Sequence, residues 1–387
     1  MYPPPVGPLL TAEQRQRLDD TFLSSDPFEY FSARISMILQ WADSRGLQTS
    51  PTVPSDSNQQ PSKSREQFSR LLGRSPDFAL AASSRSISTQ VATDAYALRH
   101  HAAEALVRLA AVVLPRTEDS TACFWESLST GPNQLEQVIS QLEESFSAQD
   151  AGLNFARKVL REQDLQGEIT EELASASNVF ASWFQFSIDL LMGHELQLNA
   201  AHNKVKHGLS VRARDDLKVS FTTVPPRSDG TMPLSALTGP EAVDIFDRPV
   251  IEVLAQAPKV KGHRQGLELT QLRVDVPAML SEAYMIAWTH GAMFHIASAK
   301  YLEGREELPD HLQAPKHPGY PLGGPRPEHI SAKAPVGMRF PLTTPPGGGP
   351  VQRPAGIAFR DVFIPLNFTG TEMRNIRVVA DDEKKEA

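Results

Sequence analysis

The strongest constraint on this chain is a stretch near its end. Residues 309–354 hold 12 prolines and 7 glycines, and PPGGGP at 345–350 fits neither a helix nor a central strand. The spacing therefore predicts an extended, largely unstructured segment there, outside any packed core. A second stretch, 47–63, reads LQTSPTVPSDSNQQPSK and buries too little apolar surface to offset its ordering entropy. What is left of the 387 residues must supply the core.

Most of that remainder has helical periodicity. Thr11 and Gln14 have capping-box spacing ahead of a short helix. Asp26, Pro27 and Gly46 bracket a second helix, with Phe31, Ile35, Ile38, Leu39 and Ala42 on one apolar stripe. Further helices are predicted over Ser88–Leu114, Asn133–Phe146 and Asn154–Gln163. A very long one is predicted from about Glu168 to His207, and a last one from about Pro277 to Glu303. Between the last two, Leu217–Thr222, Pro249–Ala255 and Leu267–Val276 alternate apolar and polar residues as strands do. The expected fold class is thus mainly α: a multi-helix bundle with a small antiparallel β insertion (about 215–276) and a Pro/Gly-rich C-terminal extension. The expected units are N-terminal helices (1–46), a flexible linker (47–63) and a helical body (64–308). The extended segment (309–356) and a docking strand with an acidic tail (357–387) follow.

Charge and cysteine content narrow the function classes. Lys plus Arg is 38 against 46 Asp plus Glu, a net charge of −8, which excludes a uniformly basic nucleic-acid coat protein. The lone Cys123 excludes an intrachain disulfide and a cysteine-based zinc site. No secretory signal and no membrane-length apolar run is present, and a cytoplasmic location without membrane association is expected. There is no Walker A loop, no GxGxxG after a strand and no GxSxG elbow, so no cofactor is expected. His202/His207 and His290/His295 are each five apart, about 140° around a helix, so no metal site is expected either.

One polar cluster carries chemistry. In Ala201–Gly208, Asn203, Lys206 and His207 share a helix face, with His202 beside them. Together, Asn, Lys and His side chains can grip a phosphate or assist its transfer. The same residues before a glycine also make an ordinary helix C-cap. Lys204, Lys206, Arg212, Arg214 and Lys218 face only Asp215 and Asp216 across 200–220, a basic island that suits a phosphate backbone. On the Ser88–Leu114 helix, His100, Glu104 and Arg108 form an i, i+4, i+8 row, in which Glu104 can orient a histidine or simply pair with Arg108.

The N-x-x-K-H-G ending, here Asn203, Lys206, His207 and Gly208, resembles the polar motif of HEPN-like helical-bundle proteins. That resemblance implies RNA or phosphate binding, often as a homodimer, with His207, Lys206 and Asn203 as catalytic residues. His202, Lys204, Arg212, Arg214, Glu104 and Arg108 would then serve in binding. The usual nuclease motif also has an Arg shortly before its His, and Ala200, Ala201 and His202 stand there instead. Two other readings stay open. One is a non-enzymatic scaffold using the Pro-rich segment for partners. The other is a small-molecule enzyme with a pocket lined by His194, His202 and His290.

Overall fold

Local signals start the helices. In α1 (Ala12–Leu23) both halves of the capping box form: the Thr11 hydroxyl accepts from the Gln14 N–H, and the Gln14 amide oxygen accepts from the Thr11 N–H. Asp26 accepts from the Phe28 N–H and opens α2 (Pro27–Leu47). The structure is a computed structural model. It describes residues 7, 9–47, 67, 70–71, 84–117, 120–146, 151–161, 165–166, 170–193, 195–208, 211–257, 265–305, 324–331, 334–343, 353–366 and 377–379. The expected linker, apart from Leu47, and residues 380–387 of the expected tail lie outside them.

Two long helices form the centre of the helical layer. They are α3 (Ser84–Val113) and, much later in the chain, α10 (Val276–Tyr301). Their mutual packing uses small residues: Ala92, Ala95, Ala102 and Ala103 on α3, and Ala283, Ala287 and Ala292 on α10, are all fully buried. Asp275 caps α10 by accepting from the Ala278 N–H. Around this pair lie α2, α4 (Phe124–Thr130), α5 (Leu135–Phe146), α6 (Ala151–Val159), α7 (Glu171–Met192) and α8 (Leu198–Lys206). The single helix expected over Glu168–His207 is two. Gly193 ends α7, and Gln197 at φ 50 turns the chain into α8. The apolar spacing runs on through the break, which is why periodicity did not reveal it.

One cap comes from outside its own helix. The buried Asp19 of α1 accepts from the backbone N–H groups of Phe124 (2.9 Å) and Trp125 (3.0 Å) and from the Cys123 thiol (3.2 Å). Cys123 is therefore a buried, polar-bonded residue, and burial pushes its thiol pKa up. Truncating Asp19 leaves one buried and one partly buried N–H donor unpaired, so Asp19→Ala should lose about 2–3 kcal/mol in urea denaturation. A loss under about 0.5 kcal/mol would mean that water replaces the carboxylate.

The sheet is the main departure from expectation. The chain is a mixed α and β fold, not mainly a helical bundle with a small β insertion. Six antiparallel strands run in the order β1 (Val211–Arg214), β5 (Val250–Gln256), β6 (Leu267–Arg273), β7 (Gly337–Pro341), β8 (Gly356–Ala358), β9 (Phe363–Pro365). Half of these strands come after α10. β7 lies inside the Pro/Gly-rich segment and is central, flanked by β6 and β8. Its five residues carry only the terminal Pro341, so the ladder loses no interior donor. Gly337 permits the contact, because a Cβ there would strike the Gln271 carbonyl and the Leu196 side chain. A short helix, α11 (Pro327–Ser331), precedes β7. A ribbon of β2 (Val219–Thr222) and β4 (Ala242–Phe246) is separate, as is a parallel pair of β3 (Thr231–Pro233) and β10 (Arg377–Val379). The short α9 (Ser235–Thr238) follows β3.

Alternation along the strands divides two cores. Ile251, Val253, Leu272 and Ala358 join the helical core, whereas Val250, Met338 and Ile357 meet Ile245 and Phe246 of β4. The buried Arg339 fastens β7 in place by donating to the Pro354 carbonyl and to the Glu195 carboxylate (3.0 Å). No helix among the described residues is long and apolar enough to cross a membrane.

Candidate functional site

α8 packs along α3, and this fixes where its polar residues go. His202 turns inward, is 4% exposed, and stacks on His100 at 5.1 Å between ring centres. His100 is fully buried. Its Nδ1 is 2.9 Å from the Tyr96 carbonyl, which can only accept, so Nδ1 carries the proton and Nε2 is left without a partner. His202 Nδ1 and His290 Nδ1 are also buried without partners. Burial drives all three imidazoles toward the neutral form. His100 is held well below the usual histidine range, by burial first and then by Arg99 and His202. Burial pushes His202 down to about 4 against the pull of Glu104, with Lys206, His101 and Arg99 adding to the fall. His290 is also pushed down to about 4, by burial and by His101.

Above this buried layer lies an exposed one. His101, one residue after His100, points some 100° away around α3 and reaches the surface. Its ring meets Tyr30 and Phe31 of α2, each at 5.5 Å. Arg34 lies over the Tyr30 ring at 5.9 Å and donates to its hydroxyl at 3.3 Å. Tyr30 is itself 45% exposed. His101 is held below the usual range by burial; Glu104 opposes this, and Lys206 and Arg34 reinforce it. Three helices thus converge: α2 supplies Tyr30 and Arg34, α3 supplies His101 and Glu104, and α8 supplies Lys206 over His202.

No protein-family model, curated protein or solved structure matches the chain.

The residues singled out from sequence divide into two groups. Lys206, His202 and Glu104 come together on the α3–α8 seam. Arg108 supports Glu104 from behind, donating to its Oε1 at 2.8 Å and to the carbonyls of Pro132 and Asn133. Asn203 and His207 are exposed at the open end of α8, with Lys204 half-buried beside them. His207 is the C-cap residue and Gly208 follows in the left-handed region at φ 63, so capping chemistry is present at this end. Arg212 and Arg214 are elsewhere, on β1 facing Glu252; Arg214 also pairs with Asp216 at 2.7 Å. Arg214 is paired with carboxylates, Arg212 reaches Glu252 only at 4.0 Å, and Lys218 pairs with Asp244 at 3.2 Å, so part of the expected basic island is neutralised. His194 lies outside the described residues, and His202 and His290 are buried in packed core. Among the described residues no three His, Cys, Asp or Glu side chains are placed to hold a metal ion.

Sequence reading missed His101, Tyr30 and Arg34. The i, i+4 pairing of Tyr30 with Arg34 was visible, but nothing local tied it to α3 or α8. The arrangement that results offers a neutral imidazole able to take a proton, two cations and an exposed aromatic face.

Proposed function

We propose that this protein binds single-stranded RNA through the α2–α3–α8 surface. The observation that carries the reading is the convergence of Tyr30, Arg34, His101 and Lys206 from three helices. Arg34 and Lys206 meet phosphates, and Tyr30 offers a face on which an unpaired base stacks. His101 and Glu104 border the same phosphates and are the groups able to move a proton there. The resemblance of Asn203, Lys206, His207 and Gly208 to the HEPN-like motif points to the same ligand class.

Fluorescence anisotropy with a short labelled single-stranded RNA at low salt tests this. Lys206→Ala with Arg34→Ala should lower the slope of log affinity against log salt by roughly 1.4, about 0.7 per lost phosphate contact. Tyr30→Ala should weaken binding by roughly 1–3 kcal/mol, the worth of one stacked base. Affinity should rise once the pH falls below the ordinary histidine range, because protonating His101, which is held below that range, adds a cation to the surface. Wild-type affinity and salt slope in both the double variant and Tyr30→Ala would end the proposal.

A further inference from the structure

A separate pocket of about 690 Å³ opens at the seam between the helical layer and the sheet. Its walls are the C-terminal end of α7, the first turns of α10, and the turn joining β8 to β9. Phe186, Leu190, Leu196, Met279 and Phe363 make the surface largely apolar. The volume lies within the roughly 300–1,000 Å³ of small-molecule sites.

The polar groups in these walls are unevenly satisfied. Glu282, 2% exposed, accepts from Arg99 Nη1 at 2.8 Å. Asp275 caps α10 and lies 3.6 Å from Arg273, which also pairs with Asp247 at 3.0 Å. Asp189 accepts from Gln185, and Glu195 pairs with Arg339. Those four carboxylates therefore have partners; Asp361 is exposed at the rim. The cations differ. Arg99, 6% exposed, lies 5.5 Å over the Tyr96 ring, and its Nε has no partner. Arg360 in the β8–β9 turn forms no ion pair among the described residues, and its Nη1 is buried and unpartnered. Its guanidinium carbon lies over the Phe186 ring at 4.9 Å, a contact that holds the fork at the pocket wall without using its donors. An unpaired, oriented guanidinium beside an apolar pocket is built to receive a planar anion edge-on.

We infer that this pocket binds an organic carboxylate with an apolar body, the carboxylate on Arg360 and the body between Phe186, Leu190, Met279 and Phe363. A medium-chain fatty acid and an aryl carboxylate share this chemistry. A phosphate monoester fits worse, because the carboxylates of Asp189, Glu195, Asp275 and Asp361 in the same walls repel its extra charge.

Isothermal titration of the full chain with decanoate, 2-naphthoate and decan-1-ol tests the inference. At least one carboxylate should bind with one-to-one stoichiometry and a Kd tighter than about 100 μM, and decanol should bind about tenfold more weakly than decanoate. Preference for decanoate or for naphthoate tells which source of carboxylate the pocket suits. Arg360→Met should abolish the difference between decanoate and decanol, and Arg360→Lys should restore only part of it. Val362→Trp, at an exposed wall position, should weaken all ligands by narrowing the pocket and serves as a second variant if Arg360→Met does not fold. No saturable binding of either carboxylate by the folded wild type up to about 1 mM would overturn the inference. Unaltered carboxylate affinity in both Arg360 variants, or in Val362→Trp, would do so as well.

Discussion

Lowering the pH from about 7 to 5 is expected to strip this protein of about 2 kcal/mol of stability for each buried imidazole, His202 and His290 at least. The sign follows from where the protons go. Above the ordinary histidine value of 6.5 both folded and unfolded chains hold these rings neutral, and stability does not change with pH. Below 6.5 the unfolded chain takes up protons that the folded chain refuses, because burial has pushed His202 and His290 down to about 4. Stability then falls with every step toward 4, where the folded rings begin to titrate and the dependence levels off. His100, lowered in the same direction, deepens the fall. Across the whole window the two numbered histidines account for about 6 kcal/mol, against a typical total of roughly 5–15 kcal/mol. Urea midpoints at pH 7 and pH 5 measure the effect. The double replacement His202→Phe/His290→Phe should flatten the dependence even where it lowers stability at pH 7. Equal urea stability of the wild type at the two pH values would show that these rings reach water more easily than their packing implies.

The second large effect concerns Arg99 and Glu282. The pair joins the two central helices at 2.8 Å, with both side chains almost wholly out of water. Removing one partner leaves a buried charge without its counter-ion, so Glu282→Leu should cost about 3–5 kcal/mol. Arg99→Met should cost a similar amount. The double variant Arg99→Met/Glu282→Leu should be far less damaged than the sum of the two, because apolar groups of similar size remove both desolvation penalties together. Thermal or urea denaturation of the four proteins gives the coupling directly. Additive losses would mean that the two charges are satisfied independently.

Of the residues behind these two effects, Arg99 and Glu282 could not be paired by local pattern. The helix starts at α1 and α2 were legible because their determinants are local: Thr11 with Gln14, and Asp26 ahead of Pro27. The capped end at His207 and Gly208 was legible for the same reason. Three of the strands, β2, β5 and β6, were legible from alternation, but the full sheet was not, because β6 pairs with a strand more than sixty residues later, and the prolines around β7 hid the short run Met338-Arg339-Phe340. The break between α7 and α8 was also hidden, since Gln197 in a left-handed conformation leaves no mark on apolar spacing. At the candidate site, Lys206, His202 and Glu104 could be picked out from helical spacing. His101 had the same standing as His100 until α2 was placed beside it, and Arg99 gained its partner only through the packing of α10.

The strand order has a consequence for how the chain is made. As synthesis proceeds, β5 and β6 emerge and can pair, then α10 follows, and β7 appears only after a further 35 residues. During that interval the far edge of β6, with the apolar Leu272 on its core face, lacks β7, the strand that covers it in the folded chain. The ribosome must therefore deliver the chain as far as β9 before the sheet can close, and any product halted upstream of Gly337 carries an adhesive strand edge.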